Sequence, residues 1–204
     1  MSMDSYLQLF IQGLAPGRQS GTASAVAFTS TLPGEGVTYV TQSFAMEIAR
    51  RTRRNTILAD LATLQKIDIF HYSKVSRHCS KTDVPHLFVL QDVDDEFPDV
   101  IEEASVVLPR KPSSELDRGL ANLQTLRFMF EFVLIDCSSL KESGDASLFA
   151  SAVDGVILVV EAEKTRKEQV RSSLAAMEMA DANILGCVLN KRQYPVPDWL
   201  YRRI

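Results

Sequence analysis

Thr31-Leu-Pro-Gly-Glu-Gly-Val-Thr38 lies between an apolar run, Ala25 to Ser30, and a segment of helical character, Thr38 to Arg51. A strand, a glycine loop and a helix in that order can cradle phosphate. The glycines let main-chain N–H groups turn toward an anion, and the helix adds the positive end of its dipole. Gly34 and Gly36 flank Glu35 in this loop, and Thr38 offers a hydroxyl to magnesium. Measured against G-x-x-x-x-G-K-[ST], Thr31 stands at the first glycine, Gly36 and Thr38 fit, and Val37 replaces the lysine. That lysine normally gives the β- and γ-phosphates a charge-assisted contact worth about 1.5–3 kcal/mol, and more where transition-state charge develops. Two expectations stand: the loop holds ATP or ADP with magnesium through main-chain groups and Thr38, or it is a relic that binds neither. Efficient phosphoryl transfer is not expected of it.

Two acids end apolar runs: Asp60 after Thr56 to Ala59, and Asp136 after Phe132 to Ile135. A carboxylate beyond the carboxyl edge of a parallel sheet can hold magnesium or activate an attacking group; the competing reading is a turn or helix-cap acid. Asn190 and Lys191 follow the run Ile184 to Leu189. His71, His78 and His86 have no metal-ligand spacing with Cys79, and Cys79, Cys137 and Cys187 form neither a disulfide framework nor a C-x-x-C pair. Arg50, Arg51, Arg53 and Arg54 crowd the end of the loop's helix, where positive charge complements the carbonyl end of the dipole; the minority reading is a contact with anionic lipid.

These residues need a frame. The runs named above, with Leu87 to Leu90 and Val156 to Val160, lack polar alternation, which suits strands buried on both faces. Helical segments alternate with them, at Thr38 to Arg51, Glu115 to Glu131 and Lys164 to Met179. In the last, Val170, Leu174, Met177 and Ala180 form one apolar stripe. The expected fold is α/β, a mostly parallel central sheet with helices on both faces, built as one domain over residues 1–204. Acids and prolines break any period from Asp83 to Pro112, which reads as surface connections. A net charge of -4 gives no global attraction to nucleic acid, and no run approaches the roughly 18 apolar residues of a membrane span, so a cytoplasmic location is expected.

With these motifs in order, the chain resembles the cytoplasmic domain of bacterial tyrosine kinases, the CpsD/CapB/Wzc family of capsule and exopolysaccharide synthesis, within the MinD/ParA P-loop group. Ser30-Thr-Leu-Pro-Gly-Glu-Gly36 is similar to that family's lead into its lysine. Phe132-Val-Leu-Ile-Asp136 is similar to its Walker B strand, and Thr56-Ile-Leu-Ala-Asp60 to the strand carrying its D-x-D motif, of which Asp60 is the first or the second acid. The resemblance implies a P-loop NTPase fold, a magnesium role for Thr38 and Asp136, catalytic roles for Asp60 and Asp136 in an active member, and adenine contacts at Asn190 and Lys191. The alternative for the last two is a polar strand end.

The departures are Val37, Ala62, the loss of both arginines of the assembly helix at Asp4 to Phe10, and five scattered tyrosines in place of a C-terminal cluster. They imply a degenerate member with a regulatory or scaffolding role. It would meet a membrane polysaccharide co-polymerase or a catalytically intact paralogue at the inner face of the plasma membrane. The alternative is an active ATPase or tyrosine kinase in which Lys164, Arg166, Lys191 or Arg192 replaces the missing lysine.

Overall fold

The computed structural model describes residues 23–69, 72–93 and 112–192. In chain order the elements are β1 (Ser24–Ser30), α1 (Val37–Thr52), β2 (Thr56–Asp60), α2 (Leu61–Lys66), α3 (Tyr72–His78), β3 (Cys79–Lys81), β4 (Leu87–Leu90), α4 (Glu115–Met129), β5 (Phe132–Asp136), α5 (Asp145–Ala150), β6 (Gly155–Glu161), α6 (Lys167–Met179) and β7 (Ile184–Asn190). The seven strands form one sheet in the order β3-β4-β2-β5-β1-β6-β7. Every neighbouring pair is parallel except β3 with β4.

The unbroken apolar runs are explained by two cores, one on each face. Ala25, Ala27, Ile57, Val133, Ile135 and Leu158 point to the face covered by α2, α4, α5 and α6, where Leu64, Leu123, Phe149 and Met177 are buried. Val26, Phe28, Leu134, Ile157 and Val159 point to the opposite face, under Val40, Phe44 and Ile48 of α1. Phe28 meets Phe44 edge-on with ring centroids 5.3 Å apart, a favourable quadrupole arrangement. β1 therefore lies in the interior of the sheet with both faces dry, and the loop that follows it emerges between β5 and β6. This crevice at the carboxyl ends of parallel strands is where open α/β sheets bind ligands.

Each of the six expected strands and three expected helices is present, with ends shifted by three residues at most. Met177 is fully buried, and Val170 and Leu174 pack against the core, as their spacing requires. α2, α3, β3 and α5 were not foreseen, being short elements of three to seven residues with little periodicity to read. Asp4 to Phe10, His71, the acids from Asp94 to Asp99 and the segment from Tyr194 to Arg203 lie outside the described residues. Among the described residues, no helix is long and apolar enough to cross a membrane.

Candidate functional site

Gly34 and Gly36 both adopt the left-handed conformation, at φ 78° and 89°. For Gly36 the requirement is double: a Cβ there would lie 2.3 Å from Nδ2 of Asn190. That amide donates to the Glu35 carbonyl at 2.8 Å, and the Lys191 ammonium donates to the Gly34 carbonyl at 2.5 Å. Two successive loop carbonyls are thus drawn to the end of β7. A trans peptide sets each N–H opposite its carbonyl, so the N–H groups of Glu35 and Gly36 face the other way. Gly36 caps α1 without any side-chain hydrogen bond, which leaves the helix's first N–H groups open to an anion.

Glu35 does not reach for a ligand. It is 1 % exposed, and its carboxylate accepts from Leu32 N–H at 2.8 Å, from Glu161 N–H at 3.1 Å and from the Thr165 hydroxyl. The loop is closed on itself and bolted to the end of β6 and the segment leading to α6. Val37, the first residue of α1, is 9 % exposed and belongs to the core cluster with Val40 and Phe44. Where a lysine would extend toward phosphate, this side chain helps seat the helix on the sheet.

Asp60 and Asp136 are register partners at the carboxyl ends of β2 and β5. Asp60 caps α2, accepting from Thr63 N–H at 2.9 Å and from the Thr63 hydroxyl at 3.2 Å. The helix-cap reading is therefore real, and it coexists with a place on the cleft wall. The Thr38 hydroxyl lies beside the Asp136 carboxyl on the cleft wall. The loop after β5 is tied back to β1, with Cys137 N–H donating to Phe28 O at 2.9 Å and Leu140 N–H to Ser30 O at 2.8 Å.

The result is a cleft of about 430 Å³ lined by Gly34, Gly36, Val37, Thr38, Asp60, Asp136, Ser139, Glu142 and Lys191, among others. Gly34, Gly36, Thr38, Asp60, Asp136 and Lys191 thus converge, whereas Glu35 and Asn190 brace the loop through buried and partly buried contacts. Ser139 and Glu142 were not singled out in the sequence. Ser139 donates to Glu142 at 2.7 Å, and the only signal would have been a Ser-x-x-Glu spacing just after the Asp136 strand.

The cleft carries three carboxylates, Asp60, Asp136 and Glu142, against the single ammonium of Lys191. Its donors near Asp136 are oxygens of a hydroxyl and a carboxylate, which suit magnesium. Among the described residues no three His, Cys, Asp or Glu side chains cluster as a metal cage, so the ion would need phosphate and water to complete its shell.

Burial pushes the Asp136 carboxyl above the ordinary aspartate range; the Thr38 hydrogen bond opposes this, and the Asp60 charge adds to it. A raised folded-state pKa means that folding favours the protonated acid. That stability is complete below the unfolded value near 3.9 and is lost as pH rises through the folded value. Asp136→Asn is therefore expected to stabilise the magnesium-free domain at pH 7 by at most about 1 kcal/mol, since the half-open position lets solvent screen the charges. The gain should vanish by about pH 3.5, as the wild-type acid protonates. Urea midpoints at the two pH values check this, and a less stable variant at pH 7 would contradict it.

No family model matches the chain. Among solved structures, the chimerical protein CapA2B2 superposes with a TM-score of 0.66 at 24% identity, covering 94% of this chain and 82% of that one. The septum site-determining protein MinD of Pyrococcus horikoshii, complexed with Mg-ADP, superposes at 0.56 with 16% identity over 89% and 76%. The fold is that of the P-loop NTPases.

Among curated proteins, the tyrosine-protein kinase CpsD of Streptococcus agalactiae is 25% identical over 173 residues, 81% of this chain and 74% of that protein. The succinoglycan biosynthesis transport protein ExoP of Rhizobium meliloti is 29% identical over 182 residues, 81% of this chain and 22% of that protein. More particularly, then, the chain is similar over most of its length to curated bacterial tyrosine-protein kinases, in keeping with the resemblance read from its motifs.

Proposed function

We propose that this chain is a tyrosine-kinase-like P-loop domain of bacterial capsule or exopolysaccharide synthesis that binds a magnesium nucleotide and acts through binding. Its role is regulatory or scaffolding, toward a membrane polysaccharide co-polymerase or a catalytically intact paralogue at the inner face of the plasma membrane. The observation that carries this reading is a glycine cradle held from behind by Glu35 and Asn190, with a valine seated in the core where a lysine would stand. Loop amides and the start of α1 would take the phosphates, and Thr38 and Asp136 would hold magnesium, which when bound neutralises phosphate charge beside the acids of the cleft. With no lysine at position 37, little is left to stabilise charge developing on a transferring phosphoryl group.

Calorimetric titration of the purified chain with ADP and ATP, with and without magnesium, tests this. Magnesium-dependent binding is expected, weakened about tenfold or more in Thr38→Ala, which loses a metal ligand. Turnover should not exceed that of an Asp136→Asn control. Absence of binding by the parent would make the loop a relic, and turnover well above the control would favour an active ATPase or kinase. One observation favours that second reading: a lysine does line the cleft, though from β7 and not from the loop.

A further inference from the structure

Among the described residues lining the cleft, Lys191 alone carries a positive charge. It follows the last residue of β7, holds φ at 55°, and extends its side chain over the loop. Its ammonium donates to the Gly34 carbonyl at 2.5 Å and to Oε2 of Glu161 at 3.2 Å. The same Oε2 accepts from Lys164 at 3.1 Å, so Glu161 keeps a cationic partner if Lys191 leaves. The side chain is 46% exposed on a flexible four-carbon stem.

We infer that Lys191 is the cation of the phosphate cradle, swinging from Gly34 and Glu161 onto the phosphate of a bound nucleotide and doing from β7 what residue 37 cannot. This rests on the nucleotide-binding reading above and assigns the contact to phosphate rather than to the base. The chemistry asks for such a group. Three carboxylates face the cleft, and magnesium alone would leave part of the charge of a polyphosphate beside them unopposed. The contacts Lys191 makes without ligand are a neutral carbonyl and a carboxylate already shared with Lys164, both weaker partners than a phosphate oxygen.

Titration of the full chain with Mg-ADP and with Mg-pyrophosphate tests the assignment, with folding of each variant checked by its urea midpoint. Lys191→Met is expected to weaken both ligands about tenfold, Lys191→Arg to retain most of the affinity, and Glu161→Gln to tighten both two- to threefold by removing the competing carboxylate. Equal binding by the parent and Lys191→Met overturns the inference and leaves the nucleotide-binding reading intact. Loss for Mg-ADP with none for Mg-pyrophosphate also overturns it, placing Lys191 at the base. A parent that binds neither ligand overturns the reading itself, and the inference with it.

Discussion

Glu35→Ala is expected to destabilise the domain by about 3–4 kcal/mol and to abolish nucleotide binding, although the Glu35 side chain touches no ligand in this reading. Its buried carboxylate accepts from Leu32 N–H, Glu161 N–H and the Thr165 hydroxyl. Removal strands two main-chain donors away from water, at about 1–3 kcal/mol each, while the threonine hydroxyl can turn elsewhere. The total is a large share of the roughly 5–15 kcal/mol that holds a domain folded. With a urea dependence of about 2–3 kcal/mol/M, the midpoint should fall by about 1–2 M. Glu35→Gln keeps one acceptor oxygen and should recover about half. A loss under about 1 kcal/mol in Glu35→Ala would mean that the loop is not held from behind.

Val37→Lys should give the largest gain in affinity, tightening Mg-ATP by about 10–150-fold, the worth of a charge-assisted contact of roughly 1.5–3 kcal/mol. Position 37 opens α1, and it lines the cleft as well as the core. A lysine there can leave its stem over Val40 and Phe44 and carry its ammonium into the cleft. The cost is the loss of a close-packed valine, about 1 kcal/mol in the urea midpoint without nucleotide. Calorimetry and thermal melting with and without Mg-ATP read both parts. Unchanged affinity in a folded variant would show that the cradle lacks the geometry for phosphate and not merely a charge. The variant also separates the two candidate cations, because Lys191→Met should matter less once position 37 carries one.

The frame was legible because buried parallel strands leave an unmistakable pattern. Phe132-Val-Leu-Ile135 and Val156 to Val160 show no alternation, since both faces are covered, and each ends near the residue where the sheet does. The loop was legible because strand, glycines and helix follow one another directly. The two acids at strand ends were legible for the same reason: their neighbours in sequence are their neighbours in space.

What escaped was long-range. Nothing near Glu35 in sequence announces that its partners are Glu161 and Thr165, so an acid between two loop glycines reads as a ligand contact when it is a buried brace. Asn190 has the same history, its amide engaged by the Glu35 carbonyl. Lys191 could be named as a candidate cation, but only the sheet order β1-β6-β7 brings it to Gly34. α2 and α5, six residues each, fall below the length at which a helical period can be recognised.

The distance along the chain from the loop to its braces also governs when the site can exist. Glu35 waits for Glu161, 126 residues later, and its carbonyl waits for Asn190, 155 residues later. Contacts of such separation make folding slow, because loop-closure entropy must be overcome before any of them forms. During synthesis at roughly 5–20 residues per second, a finished β1 stays for about 8–30 s before β7 can leave the ribosome. Through that interval the glycine loop has no brace. On the nucleotide-binding reading, nascent chains cannot capture nucleotide, and the cradle becomes competent only as the last described strand docks.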